Sequence, residues 1–259
     1  MPAVQRVQLQ PAYVLHHRPY RDTSRILELF TRDYGRVSVF ARGARGAGGK
    51  SQSLTSMLQP FNRLLLSWSG GGEAGRLTGA EFDGAYSILP PDRLVSGCYL
   101  NELLLKLFAR HDSHPDVYSL YAQTLEMLKT AAEPMRPLRL FEKRLLEALG
   151  YGLELNVEAG SGVPIESDSS YYYRLEQGAV RAEGVAEGSL VFSGAALLSL
   201  GSEELADTYS CTEARRLLRA AIDRCLEGRE LKSRQVMMEL RRGRGVRGSG
   251  LGSEEDTSR

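Results

Sequence analysis

The sequence predicts an α+β protein: an N-terminal OB-fold β-barrel over residues 1–88, followed by a mostly α-helical domain over 89–240. Three observations lead there. Short apolar runs alternate in the strand manner between residues 8 and 86, with glycine-rich turns between them. After Pro90-Pro91 the apolar spacing changes to that of helices. Charge is unevenly divided along the chain, with basic ends around an acidic middle. The helical domain carries an irregular insert at about 151–193, and residues 241–259 read as a disordered Gly/Arg-rich tail.

The strand runs come first. Tyr13-Val14-Leu15, Ile26 through Phe30, Val37 through Phe40, Leu64 through Trp68 and Leu77 through Tyr86 are separated by Arg18-Pro19, Asp33-Tyr34-Gly35, Gly43 through Gly49 and Gly70-Gly71-Gly72. About five strands in roughly 80 residues suit a small closed barrel. An OB-type barrel is the leading candidate, with an SH3-like barrel as the alternative that pattern alone leaves open. Leu94, Leu100, Leu103, Leu104, Leu107 and Phe108 then recur at helical spacing, ending at His111 through Pro115. A second helix is expected from Pro115 to Ala132. A third starts at Pro134 or Pro137 and ends at Gly150, the residue favoured just past a helix end. A hairpin is expected around Tyr171-Tyr172-Tyr173, then helices from Ser193 to about Leu205 and from Thr212 to Glu227, then a basic segment from Leu231 to Leu240. Beyond that the chain has almost no apolar content, which predicts disorder.

No run of about 18 apolar residues predicts a membrane span. The N-terminus lacks the apolar core of a secretory signal. Cys98, Cys211 and Cys225 are odd in number and widely spaced, which suggests a reducing compartment without a disulfide framework. Residues 1–80 hold 11 Lys+Arg against 4 Asp+Glu, residues 81–212 hold 10 against 20, and residues 213–247 hold 11 against 5. Basic ends suggest a polyanion, most often nucleic acid. Candidate DNA-binding cations are Arg18, Arg21, Arg36, Arg42, Arg45 and Lys50 in the barrel region, and Lys232, Arg234, Arg241 and Arg242 near the C-terminus. Ordinary solvated surface cations are the plain alternative.

Ala44 through Ser51, "ARGAGGKS", resembles a phosphate-cradling loop. Such a loop needs a helix opening at Lys50-Ser51 and a later strand ending in a magnesium-holding Asp. The antiparallel surroundings argue against a nucleotide-binding enzyme, and a mobile basic loop between strands is the favoured reading. No C-x-x-C or H-x-x-x-H pair suggests metal. His16-His17 lie in a strand pattern and should point to opposite faces. No catalytic set and no cofactor is predicted. Tyr20 and Tyr34, flanked by Arg21, Arg32 and Arg36, are candidates for base stacking, with core packing as the alternative.

Several stretches together resemble the bacterial RecO family of recombination mediators: "AYVLHHRPYRDTSRILELFT", "GRVSVFARGAR", "LQPFNRLLLSW", "LNELLLKLF", "LRLFEKRLLEALGYG", "AGSGVPI", the "YYYR" hairpin and "LKSRQV". The resemblance covers about residues 8–240 and implies the same barrel-then-helices architecture. It implies a non-enzymatic, cytoplasmic, nucleoid-associated protein that binds single- and double-stranded DNA and anneals complementary strands. Its implied partners are RecR, in some lineages RecF, and indirectly RecA. It also implies docking of the acidic C-terminal tail of the single-stranded DNA-binding protein (SSB) on the helical domain. The matching cation is Arg139, with Leu138 and Phe141 flanking it and Lys143 following. Many members carry a four-cysteine zinc site after "LGYG"; here "LELNVEAGSGVPIES" has no cysteine, so no zinc is expected. A generic OB-fold RNA-binding module would share the charge pattern but would lack annealing and tail capture.

Overall fold

The computed structural model describes residues 6–44, 54–70, 74–84, 88–182 and 190–248, with side-chain burial described to residue 240. Arg45 and Lys50 lie outside the described residues.

Five strands close a barrel: β1 (Arg6–Tyr20), β2 (Ser24–Thr31), β3 (Gly35–Ala41), β4 (Arg63–Ser69) and β5 (Gly75–Phe82). Their order around it is β1-β2-β3-β5-β4, closed by β4 on β1. Only β3 and β5 run parallel; the other neighbours are antiparallel. This is the OB-type order, so the SH3-like alternative falls. Alternation puts Val14, Leu27, Leu29, Val37, Val39, Leu64 and Leu66 inside. One helical turn at 54–57 follows the loop after β3, and the next strand is β4, which pairs with β1 and β5 rather than with β3. A phosphate loop sits between a strand and a helix of a parallel sheet, and that context is not present among the described residues.

After a 3-10 turn at Pro91–Arg93 come α1 (Leu94–Leu107), α2 (Pro115–Thr130) and α3 (Met135–Ala148). Gly150 stands at φ +81° just past α3, the left-handed position glycine takes without a Cβ penalty. The insert is more ordered than the sequence suggests. Val157 bridges Pro164 in a tight turn, with Glu158 N–H donating to Val163 at 2.7 Å. The expected hairpin gains a third strand, giving the sheet β7-β6-β8 from β6 (Ser170–Arg174), β7 (Gly178–Arg181) and β8 (Val191–Ser193). Among the described residues no group of three or more His, Cys, Asp or Glu side chains is placed to hold a metal ion. Helices α4 (Gly194–Gly201), α5 (Thr208–Cys225) and α6 (Lys232–Gly248) complete the chain. The Asp207 side chain caps α5 by accepting from Ser210 N–H at 2.8 Å, starting that helix a turn before Thr212.

The expectation of disorder from residue 241 is corrected up to Gly248, since α6 runs on through "RRGRGVRG". Low apolar content argues against burial, not against helical backbone. A helix already nucleated at Lys232 extends one hydrogen bond at a time, and its glycines cost only about 1 kcal/mol each. No helix among the described residues is long and apolar enough to cross a membrane.

Barrel and helices share a core. Tyr13, Leu15 and Phe30 point outward from the barrel and pack with Tyr118, Tyr121 and Phe108. Asn101 Nδ2 donates to Leu15 O at 2.9 Å while its Oδ1 accepts from Tyr121 O–H at 2.5 Å. At Gly35, φ +61°, an added Cβ would lie 2.0 Å from Asp112 O. The joint is therefore a close backbone contact that only glycine permits.

Candidate nucleic-acid interface and an arginine-lined pocket

Strand register builds the first candidate site. Arg18 stands opposite Ile26, Ile26 opposite Phe40, Phe40 opposite Arg76, Arg76 opposite Ser69, and Ser69 opposite Arg6. Paired residues share a face, and the neighbours Leu27, Val39, Leu77, Trp68 and Val7 point into the barrel. The row therefore runs around the outside of all five strands, with Arg18, Arg76 and Arg6 exposed. Tyr20 and Arg21 sit at the β1–β2 turn beside it: the Tyr20 ring lies 5.1 Å from Phe40, and the Arg21 guanidinium lies 5.3 Å from the Tyr20 ring. Arg42 is exposed just past β3. Cations flanking a partly exposed aromatic pair form a surface suited to phosphates and bases.

Arg36 is on the same outer face but does not belong to this row. It lies opposite Phe30, four residues along β2 from Ile26, or about 13 Å. There the helical domain covers the barrel. Arg36 Nη1 donates to the carbonyls of Leu105 and Phe108, both at 2.6 Å, at the C-terminus of α1. It neutralises a helix end instead of facing solvent. Tyr34 is likewise corrected: its ring packs edge-on against Trp68 at 5.6 Å. His16 and His17 pair with Glu28 and Leu27, successive register positions on β2, and their rings lie 6.4 Å apart beside a groove between barrel and helices.

The second site lies among α1, α3, α5 and α6. It is a cavity of about 90 Å³, room for one large side chain and far less than a nucleotide needs. Met135, Leu138, Arg139 and Glu142 form one stripe of α3, at helical spacing. Cys211, Arg215 and Arg219 form an i, i+4, i+8 stripe of α5. Arg234, Met237 and Met238 come from α6. Of the four residues expected to bind an SSB tail, Leu138 and Arg139 line this cavity. Phe141 is corrected: it faces the helical core and is fully buried. Lys143 is turned to Glu147 at 2.9 Å and Glu203 at 3.1 Å, outside the cavity.

Arg139 is only 6% exposed and Glu142 only 2%. Arg139 Nη2 and the Tyr99 hydroxyl each donate to Glu142 Oε1 at 2.6 Å. Burial pushes the Glu142 carboxyl above the usual carboxylate range, against the opposing pull of Arg139. Arg234, expected on a DNA surface, instead pairs with Asp223 and lies over the Tyr99 ring at 5.9 Å. Lys232 is exposed at the start of α6, where the Glu102 carboxylate caps the helix by accepting from Lys232 and Ser233 N–H at 2.9 Å. Arg241 and Arg242 lie farther along α6. Sequence reasoning missed Arg6 and Arg76, which strand parity would have found only with the register known. It also missed Arg215 and Arg219, whose four-residue spacing was a usable signal.

The family model described as Recombination protein O N terminal matches residues 6–86, and that described as Recombination protein O C terminal matches residues 90–235. The chain belongs to the RecO family. A "DNA repair protein RecO" of Nitrosococcus oceani is 46% identical over 237 residues, covering 92% of this chain and 95% of the relative. The protein of the same name from Alkalilimnicola ehrlichii is also 46% identical, over 92% and 93%. That of Dechloromonas aromatica is 41% identical, over 91% and 97%. The two RecO matches divide the chain between β5 and α1, where barrel gives way to helices.

Proposed function

We propose that this RecO-family chain acts in DNA repair as a non-enzymatic mediator of recombination. It binds single- and double-stranded DNA, anneals complementary strands, and helps place RecA on strands coated by SSB. Its partners in that work are RecR and, in some lineages, RecF, in the cytoplasm at the nucleoid. The observation that carries this reading is the outer row of exposed Arg18, Arg76 and Arg6 around the half-buried Phe40, with Tyr20 and Arg21 beside it. Cations on a closed barrel neutralise phosphates and release counterions, while aromatic faces accept bases without regard to sequence. Annealing requires that two polyanions be screened from each other. Base pairing then drives the reaction, so nucleotide hydrolysis is not needed.

The cavity supplies targeting. An acidic peptide ending in an aromatic residue offers one ring and one terminal carboxylate. Leu138, Met135 and Met237 provide an apolar wall, and Arg139, Arg215, Arg219 and Arg234 a cationic one. Docking an SSB tail there holds the barrel near coated strands at high effective concentration. The test is annealing of complementary oligonucleotides without nucleotide, with and without SSB. Arg18→Ala with Arg76→Ala should slow annealing in both cases. Arg219→Ala with Met238→Asp should slow it only on coated strands. Annealing indifferent to the barrel pair, or dependent on ATP, overturns the reading.

A further inference from the structure

The cavity contains a carboxylate where a site for an acidic ligand has least use for one. Glu142 occupies Arg139, the most deeply placed of the four arginines. The pairing is incomplete. Both donors to Glu142, Arg139 Nη2 and Tyr99 O–H, meet the same oxygen, Oε1. Oε2 is buried without a hydrogen-bond partner, as are Arg139 Nε and one terminal nitrogen of Arg234, Nη2. Buried polar groups without partners are uncommon, and breaking or under-satisfying a buried ion pair is costly. Three such atoms around one cavity mark a cluster arranged for something more than internal pairing.

We infer that Glu142 is an internal competitor for the ligand's carboxylate: it holds Arg139 while the pocket is empty, and yields it, taking one proton from solvent, when a ligand carboxylate arrives. The unpartnered Oε2 is where that proton goes. The incoming carboxylate finds Arg139 and Arg234 with donors to spare. The charged and titratable groups around Glu142 are Tyr99 from α1, Arg139 on its own helix, Cys211 and Arg215 from α5, and Arg234 from α6. Arg139, Arg234 and Arg215 favour the carboxylate, while burial favours the acid and prevails. A second negative charge in the cavity raises the affinity of Glu142 for a proton further. Ligand binding and protonation are therefore coupled, and the pocket selects a strongly anionic terminus able to displace a resident one.

This inference rests on the proposal that the cavity takes an acidic peptide tail. It is tested with the full chain and a synthetic Asp-rich peptide ending in Phe, followed by fluorescence anisotropy from pH 5 to pH 8. Wild type should bind more tightly as pH falls, by at most tenfold per unit for one coupled proton, a limit of 1.36 kcal/mol. Loss of charge on the peptide's own Asp residues would act in the opposite sense. Glu142→Gln should bind about tenfold more tightly at pH 8 and lose the slope. The same peptide with an amidated C-terminus should bind wild type weakly and without the slope, a readout that does not depend on the variant folding. Wild-type binding with a slope unchanged by Glu142→Gln, or by amidation, overturns the inference and leaves the tail-docking proposal standing. Binding by neither protein at any pH overturns both.

Discussion

The barrel rim and the helical pocket both gather arginines, and they use them differently. On the rim, Arg6, Arg18 and Arg76 project into water from three strand positions of one register row. In the pocket, Arg139 is buried against Glu142, and Arg234 is packed over Tyr99. Exposed charges act through phosphates and counterions, each nearly independent of the next. Buried charges act through geometry, and removing one leaves its partner stranded. The two basic segments of the sequence thus place arginines in different settings. Three arginines of the second one, Arg215, Arg219 and Arg234, line the cavity.

Stability measurements should separate the two regions most clearly. Arg139→Ala should cost about 3–5 kcal/mol in chemical denaturation, because Glu142 would be left buried and unpaired. The double variant Arg139→Leu with Glu142→Leu should recover most of that loss. If the single variant is as stable as wild type, the pair is not a buried one in solution. Gly35→Ala tests the joint between the two regions. The left-handed backbone alone costs about 1–2 kcal/mol for a residue with a Cβ, and the clash with Asp112 O adds to it. Its melting temperature should fall, and the barrel and helices should unfold together.

Rim substitutions should behave in the opposite way. Arg18→Ala with Arg76→Ala should change stability by no more than about 0.5 kcal/mol for each site. DNA affinity should fall for every sequence, and the salt dependence should lessen by about two phosphate contacts. An unaltered salt slope would remove this row from the interface. The smallest effect belongs to Glu203, which hydrogen bonds from Arg144 and Lys143 hold down to about 2, against partial burial. Its folded value is below its unfolded one, so its contribution is present above the ordinary carboxylate range and fades as pH falls toward 2. Solvent screening keeps it modest. Glu203→Gln should flatten the acid limb of a stability curve slightly and leave neutral pH nearly unchanged.

Much of this was legible in the chain. Alternation marked all five barrel strands, and period 3.6 marked α1 to α3, because both patterns report which side of an element meets a core. Asp207 extended α5 by a cap that a sequence scan can overlook. Of the tail-binding candidates, Leu138 and Arg139 reach the cavity, while Phe141 and Lys143 do not, since each step along α3 turns a side chain by about 100°. Arg36 misled because its neighbours in sequence say nothing of α1, whose end it covers.

The order of elements, the change from strands to helices near Pro90 and the division of charge can all be read along the chain. Those are properties of near neighbours along the chain, where backbone geometry imposes a period. Which arginine meets solvent, which meets a helix end and which meets Glu142 was decided by tertiary structure alone. The register of five strands and the meeting of four helices join residues far apart in sequence, and the cost of burying a charge depends on what those distant residues bring to it.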